Sequence, residues 1–269
     1  MTDVIPYVSR LFIYPIKSLD KVGIENTTVL RSGALKRDRE FAIFDRSGRF
    51  VNGKRNERIH AIRSEFDLET NTVSLRVQQT DRVNVFHVET EREALEYWLG
   101  EFFGFPVEVK QNPDAGFPDD TVSPGPTIIS TATLEAIASW YPGLDVEEVR
   151  LRFRSNIEIS GVPAFWEDRL FTEAEGTVHF QIGDVQFMGI NPCQRCVVIT
   201  RDSKTGVAYP NFQKTFVAQR RTTLPAWVER SRFNHFYRLA INTRLPITEE
   251  GKTICIGNEL RIDSYSSPS

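Results

Sequence analysis

Apolar and polar residues alternate in short runs through the first third of the chain. Val8 to Tyr14 is apolar and aromatic and stops at Pro15, and Glu40 to Asp45 is followed by a turn at Ser47-Gly48. Phe66 and Leu68 alternate with charged residues, Thr70-Asn71 turns the chain, and Val73, Leu75 and Val77 alternate again, with Val83 and Val85 repeating the pattern. Side chains at period two line one face of a strand, so this stretch predicts a hairpin and further short strands of a sandwich or barrel. One helix interrupts them. Thr90 with Glu93 makes a capping box, Leu95, Trp98, Leu99, Phe102 and Phe103 form a stripe at helical spacing whose plain role is core packing, and Gly104 and Pro106 stop it.

Four prolines between Gln111 and Pro126 disfavour both helix and central strand, and mark a linker. The expected division is a β-barrel-like domain over 1–125 and a second, mostly strand domain over 126–269. A helix is expected from Ser130 to Trp140. In Val149 to Arg154, apolar residues alternate with Arg150, Arg152 and Arg154, which predicts a strand carrying the arginines and Asn156 on one face. Strands are also expected over Phe180 to Met188, Val197 to Thr200, Leu239 to Asn242, Thr253 to Ile256 and Leu260 to Asp263. A helix should begin near Asn211, and Ser264 to Ser269 reads as a frayed end. The fold class is mostly β with peripheral helices.

The 269 residues are 40% hydrophobic and 26% charged, which excludes disorder as the main state. A formal net charge of -3 argues against wrapping a nucleic-acid polymer or lying on an anionic membrane, and leaves room for a local basic pocket. Three cysteines are too few for a disulfide scaffold. Met1 to Arg10 has no leader pattern and no stretch approaches a membrane span, so a cytoplasmic protein is expected.

Candidate chemistry centres on Asn191-Pro-Cys-Gln-Arg-Cys196. Structural zinc needs four ligands, and Cys255 with His60, His87, His179 and His235 offers no second pair. Three cysteines cannot hold a four-cysteine iron–sulfur cluster. A redox dithiol ordinarily opens a helix, whereas Cys196 leads into β-branched residues. Two readings stay open: one thiolate acting alone, with Arg195 beside it in sequence and a soft metal as its natural partner, or two inert half-buried cysteines. Lys17, Ser18, Arg37, Arg39, Arg154 and Asn156 are ordinary surface residues taken singly, and an anion cradle if the fold gathers them.

The order of Ile13-Tyr-Pro-Ile-Lys-Ser18, Arg37-Asp-Arg39, Phe153-Arg-Ser-Asn156 with Ile159-Ser-Gly161, Ile182-Gly-Asp184, and Pro192-Cys-Gln-Arg-Cys196 with Thr205-Gly206 resembles MOSC-domain proteins over nearly the whole chain. The similarity is to the branch of the amidoxime-reducing components and the bacterial reductases of N-hydroxylated bases. It implies an N-terminal MOSC β-barrel domain followed by the MOSC domain. It also implies a molybdenum cofactor (Mo-molybdopterin) with Cys196 as metal ligand, Cys193 as a neighbour, and Lys17, Ser18, Arg39, Arg154, Asn156 and Arg195 as cofactor-binding residues. The implied reaction reduces the N–O bond of a small N-hydroxylated substrate, with electrons from a separate ferredoxin, cytochrome b5 or flavin reductase type of donor. Asp202 is the candidate proton donor, with a surface turn as its competing role. The alternative is a carrier of the cofactor or of persulfide sulfur without reductase activity. The chain departs from the family pattern at Leu19-Asp20, Gln194 and Phe236-Tyr-Arg-Leu239.

Overall fold

The computed structural model describes residues 5–174 and 176–266. Strands dominate, with four α-helices among the described residues. The chain opens with β1 (Tyr7–Ile13), β2 (Val22–Ile24), β3 (Asn26–Thr28) and β4 (Phe41–Asp45). The alternating segment becomes an antiparallel meander of β5 (Ile62–Asp67), β6 (Thr72–Val77) and β7 (Val83–His87). Helix α1 (Arg92–Phe103) and β8 (Val107–Gln111) complete this half. Leu95, Leu99 and Phe103 of α1 are buried, as the stripe requires, and Gly104 ends the helix in the left-handed conformation. The capping box does not form: Glu91, not Thr90, stands at the N-cap.

Beyond the proline-rich segment come β9 (Ile128–Ser130), α2 (Thr131–Ser139), α3 (Val146–Phe153) and β10 (Ile157–Ser160). Next are β11 (Thr177–Ile182), β12 (Val185–Gln194), α4 (Phe212–Thr223), β13 (Arg238–Arg244), β14 (Thr253–Cys255) and β15 (Leu260–Ser266). β15 reaches three residues into the stretch expected to fray, and 267–269 lie outside the described residues. The main sheet has eight strands in the order β15-β11-β12-β13-β9-β10-β1-β2. β1 therefore pairs with β10, across the linker in sequence, and carries the residues after Ile13 up to the second half of the chain.

Two expected strands are helical. Val149 to Arg154 lies in α3 because Asp145 caps it, accepting from the Glu148 N–H at 2.7 Å, and the first turn is acidic while the last is basic. Val149 and Phe153, one turn apart, face the core, while Arg150 and Arg152 are buried on Glu158 and Glu148 at 2.6 Å each. Val197–Thr200 is a single 3₁₀ turn, not a strand.

The turn Trp166–Leu170 carries a fully buried polar cluster against β12 and β13. Glu167 is 1% exposed; its Oε2 accepts from the Thr133 hydroxyl at 3.0 Å, and its Oε1 has no partner. Burial, and after it the neighbouring Asp168, pushes its carboxyl up to about 7. The folded chain thus holds a proton that the unfolded chain has already lost, so stability falls as pH rises from about 4.5 to about 7. We expect the unfolding free energy to drop by on the order of 3 kcal/mol between about pH 5 and about pH 8. Glu167→Gln should flatten that drop in urea unfolding curves recorded at the two pH values, and an unchanged slope would refute the assignment.

Candidate functional site: an electropositive cavity with two thiols

The site begins where β1 ends. Lys17 is tied down by its N–H donating to Phe41 O at 2.7 Å, and Ser18 follows with φ of 74°. The same corner is stitched from the other side. The Tyr14 N–H donates to Asp38 Oδ1 at 2.9 Å, and the Arg39 N–H donates to Tyr14 O at 2.8 Å. Arg39 has φ of 52° and its guanidinium pairs with Asp38. Arg154 terminates α3 in the left-handed region, φ 53°, because a helix end turned this way can satisfy its last carbonyls. The turn aims its guanidinium at Tyr14, 4.0 Å from the ring centroid, and Nη2 donates to Leu19 O at 2.7 Å. Burial, and then repulsion from Arg39, lowers the Arg154 pKa. Burial raises the Tyr14 hydroxyl to about 12 against the opposing pull of Arg154 and Arg39, so the phenol keeps its proton.

The facing wall is the end of β12. The Arg195 N–H donates to Tyr237 O at 3.0 Å, and its guanidinium binds Phe153 O at 2.5 Å through Nη2. Nη1 donates to the Cys193 sulfur at 3.4 Å, so the thiol that Arg195 reaches is Cys193. The Cys196 sulfur has no hydrogen-bond partner among the described residues. Its carbonyl accepts from the Tyr237 hydroxyl at 3.5 Å, and the residue stands at the cap of the 3₁₀ turn. All three cysteines are free and partly exposed. Because 197–200 is a 3₁₀ turn, the strand-based objection to a dithiol falls away; what sets the two sulfurs apart is the guanidinium on one of them.

Between these walls lies a cavity of about 510 Å³. Ten lysines and arginines line it against three aspartates, in a chain whose net charge is negative. Arg154, Arg195 and Arg238 have no carboxylate within 4.0 Å among the described residues. Of eight buried side-chain polar atoms lacking a partner, five belong to lining residues: His60 Nε2 and the Nε atoms of Arg63, Arg195, Arg201 and Arg238. Four of these five are guanidinium donors, which are ordinarily satisfied when buried, so their concentration here marks a place short of acceptors. His60 is kept neutral, its pKa lowered to about 4 by burial and by Arg154, Arg201 and Arg63.

Lys17, Ser18, Arg39, Arg154, Arg195 and Cys196 all line this one cavity. Asn156 does not. It is 1% exposed, with its amide committed to Phe12 O at 3.2 Å and to the Thr127 N–H at 3.2 Å, so it supports the floor from beneath. Arg37 turns to Asn71 Oδ1 at 2.7 Å. Asp202 also stands outside the lining; its Oδ1 accepts from the N–H groups of Lys204 and Thr205 and from the Thr205 hydroxyl. Partial burial pushes that carboxyl up, but the Thr205 and Lys204 hydrogen bonds outweigh it and hold the group below the usual carboxylate range, which suits a turn and not a proton donor. Tyr14, His60, Asp119 and Arg238 were missed. Only Tyr14 had a signal, as an aromatic directly beside the Pro-Ile-Lys-Ser corner.

The model described as the MOSC N-terminal beta barrel domain matches residues 5–108, and that described as the MOSC domain matches 127–243. Molybdenum cofactor sulfurase of Danio rerio is 27% identical over an alignment of 244 residues that covers 74% of this chain and 28% of the sulfurase. Mitochondrial amidoxime-reducing component 1 of Homo sapiens is 28% identical over 238 residues, 74% of this chain and 67% of its own length. The component of the same name in Danio rerio is 26% identical, with 74% and 70% covered. The chain thus spans little more than a quarter of the sulfurase and about two thirds of the reducing components. The two domain matches, in this order and on either side of the proline-rich segment, show that the chain belongs to the MOSC-domain proteins.

Proposed function

We propose that the cavity holds a molybdenum cofactor and that the chain reduces the N–O bond of small N-hydroxylated compounds with electrons from a separate donor protein. The observation that carries this reading is one cavity lined both by three guanidinium groups without carboxylates, those of Arg154, Arg195 and Arg238, and by a free thiol. The donor set fits a phosphorylated ligand that brings its own metal. Among the described residues no three His, Cys, Asp or Glu side chains converge as a metal cage, so a metal here would need most of its ligands from elsewhere. One soft sulfur is what the protein can add. The name of one relative, a molybdenum cofactor sulfurase, supports the cofactor, and that of another, an amidoxime-reducing component, supports the reduction.

In this reading Lys17, Ser18, Arg39 and Arg154 bind the phosphate, and Cys196 offers its thiolate to the metal. Arg195, pinned to Phe153 O, fixes the turn that presents Cys196, and Asn156 is a positioning residue that holds Phe12 and Thr127 together under the floor. The bound cofactor would supply two-electron redox chemistry. Cleaving R–NH–OH to R–NH₂ and water consumes two electrons and two protons. The cationic lining favours anions and excludes a second metal cation from the cavity.

Protein from a molybdopterin-competent host should contain close to one molybdenum per chain and reduce an N-hydroxylated amidine with an artificial donor. The absence of both would overturn the reading. Sulfur carried on Cys196 without molybdenum, seen as one extra sulfur in the intact mass, would favour the carrier alternative.

A further inference from the structure

The phosphate corner already contains a carboxylate, and it comes from the linker. Asp119 Oδ1 lies 2.8 Å from Lys17 Nζ, and Lys17 also donates to Phe117 O at 2.8 Å. The segment is anchored just before this point. The Phe117 N–H donates to Arg39 O at 2.8 Å, and its ring packs edge-on against Phe44 and Phe50, 5.5 and 6.1 Å away. Past Phe117 the chain runs free of helix and strand as far as β9.

Charge balance makes this carboxylate conspicuous. Lys17, Arg39 and Arg154, with Lys54 at the outer edge, face Asp38 and Asp119, so the two carboxylates cancel half of four positive charges. A phosphate monoester near neutral pH carries close to two negative charges. A phosphate that binds Lys17 directly meets like charge on the carboxylates beside it, so one carboxylate has to leave. Asp38 cannot: it is 9% exposed, pairs with Arg39, and accepts the Tyr14 N–H. Asp119 can: its side chain is 62% exposed, and a second cation, Lys54, stands 3.9 Å away with 46% of its side chain in solvent. Partial desolvation pushes the Asp119 carboxyl up, but Lys17, Arg39 and Lys54 hold it ionised well below the usual range, so it is a permanent anion in this corner.

Building on the reading above, we propose that Asp119 is an exchangeable counter-ion: it occupies Lys17 in the ligand-free chain and transfers to Lys54 when a phosphate monoester takes its place. Entry of the ligand is then an anion exchange. The free protein avoids an uncompensated cation cluster, and a ligand must outcompete a tethered carboxylate to stay. Weak monoanions are thereby disfavoured.

The test titrates the cofactor-free chain with phenyl phosphate by calorimetry, in wild type and in Asp119→Asn, which should still unfold cooperatively at a somewhat lower thermal midpoint because Lys17 loses its counter-ion. Asp119→Asn is expected to bind about tenfold tighter. Lys54→Met should weaken binding in the wild-type background and have little effect in Asp119→Asn, since the lysine then has no carboxylate to receive. Unchanged or weaker binding by Asp119→Asn overturns the exchange, and an equal Lys54→Met effect in both backgrounds overturns the transfer. Arg154→Glu distinguishes loss of the anion corner from loss of the exchange. If it abolishes phenyl phosphate binding while Asp119→Asn changes nothing, the anion corner stands and the exchange is wrong. If wild type and Asp119→Asn both fail to bind phenyl phosphate at all, the anion corner itself falls, and the exchange with it.

Discussion

Cys196→Ala is expected to lose bound molybdenum and to lower reduction of an N-hydroxylated substrate by on the order of 10²-fold or more, because loss of a metal ligand should exceed the 10–100-fold cost typical of outer-shell changes. Both thiols line the same cavity, but the Cys193 sulfur already accepts from Arg195 Nη1 at 3.4 Å, whereas the Cys196 sulfur is uncommitted. A thiolate that must donate electron density to a metal is best left without a competing donor. Cys196 is also held from behind, through Tyr237 on its carbonyl and through Arg195, whose backbone and side chain bind Tyr237 O and Phe153 O. Cys193→Ala should therefore retain metal and stay within about tenfold of wild-type activity. Metal content of the two variants, from one host and one preparation, decides the matter. Equal molybdenum in Cys196→Ala and wild type would remove this sulfur from the metal's coordination.

Arg220→Ala should be the most damaging single change outside the cavity, at about 3–5 kcal/mol of folding free energy. Arg220 is fully buried in α4, with Nη2 2.6 Å from Asp168 Oδ2. Its guanidinium lies 4.7 Å from the Phe165 ring centroid and 5.0 Å from that of Phe233. Alanine there leaves Asp168, 2% exposed, as a buried carboxylate beside Glu167 with no cation. It also leaves a void between two aromatic rings, which adds a cavity cost. Burial already raises the Asp168 pKa against the pull of Arg220, so the orphaned group should take up a proton, and the loss should be smaller in acid than at neutral pH. Arg220→Met with Asp168→Leu should recover much of the stability, because apolar side chains of similar volume remove both desolvation costs. Urea unfolding of the single and double variants reads this directly. The effect should extend to the cavity, since Arg220 Nε donates to the carbonyl of Arg238, a lining residue.

The periodic elements were legible where one physical signal dominated. The meander around Asn71 follows from strict alternation. α2 follows from Ser130, whose hydroxyl accepts from the Thr133 N–H at 3.1 Å. The stretch around Arg150 was misread because apolar residues two apart satisfy a strand, while Val149 and Phe153 four apart satisfy a helix equally well. The deciding signal was present in Asp145 and Glu148, a cap with its partner three residues on. Membership of the main sheet was not legible, since β1 meets β10 about 150 residues away in sequence and no local pattern encodes that partner.

The site divided in the same way. Lys17, Arg39, Arg154 and Cys196 could be listed from their motifs, but which way a side chain points depends on distant contacts. Asn156 is taken up by Phe12 and Thr127, and Asp202 by its own turn. Asp119 had no motif at all. Its importance comes from a 2.8 Å contact with a lysine roughly a hundred positions earlier.

Ser18, Arg39 and Arg154 share one backbone property, φ between 52° and 74°, a region that side chains bearing a Cβ enter at about 1 kcal/mol or more each. Glycine would occupy all three positions with less strain, yet glycine carries neither the hydroxyl nor the guanidinium groups. On the proposed reading of the cavity, thermal robustness and ligand capture therefore pull in opposite directions at these positions. A lineage that stopped needing the ligand would find relaxation of this corner among its easiest routes to a sturdier protein.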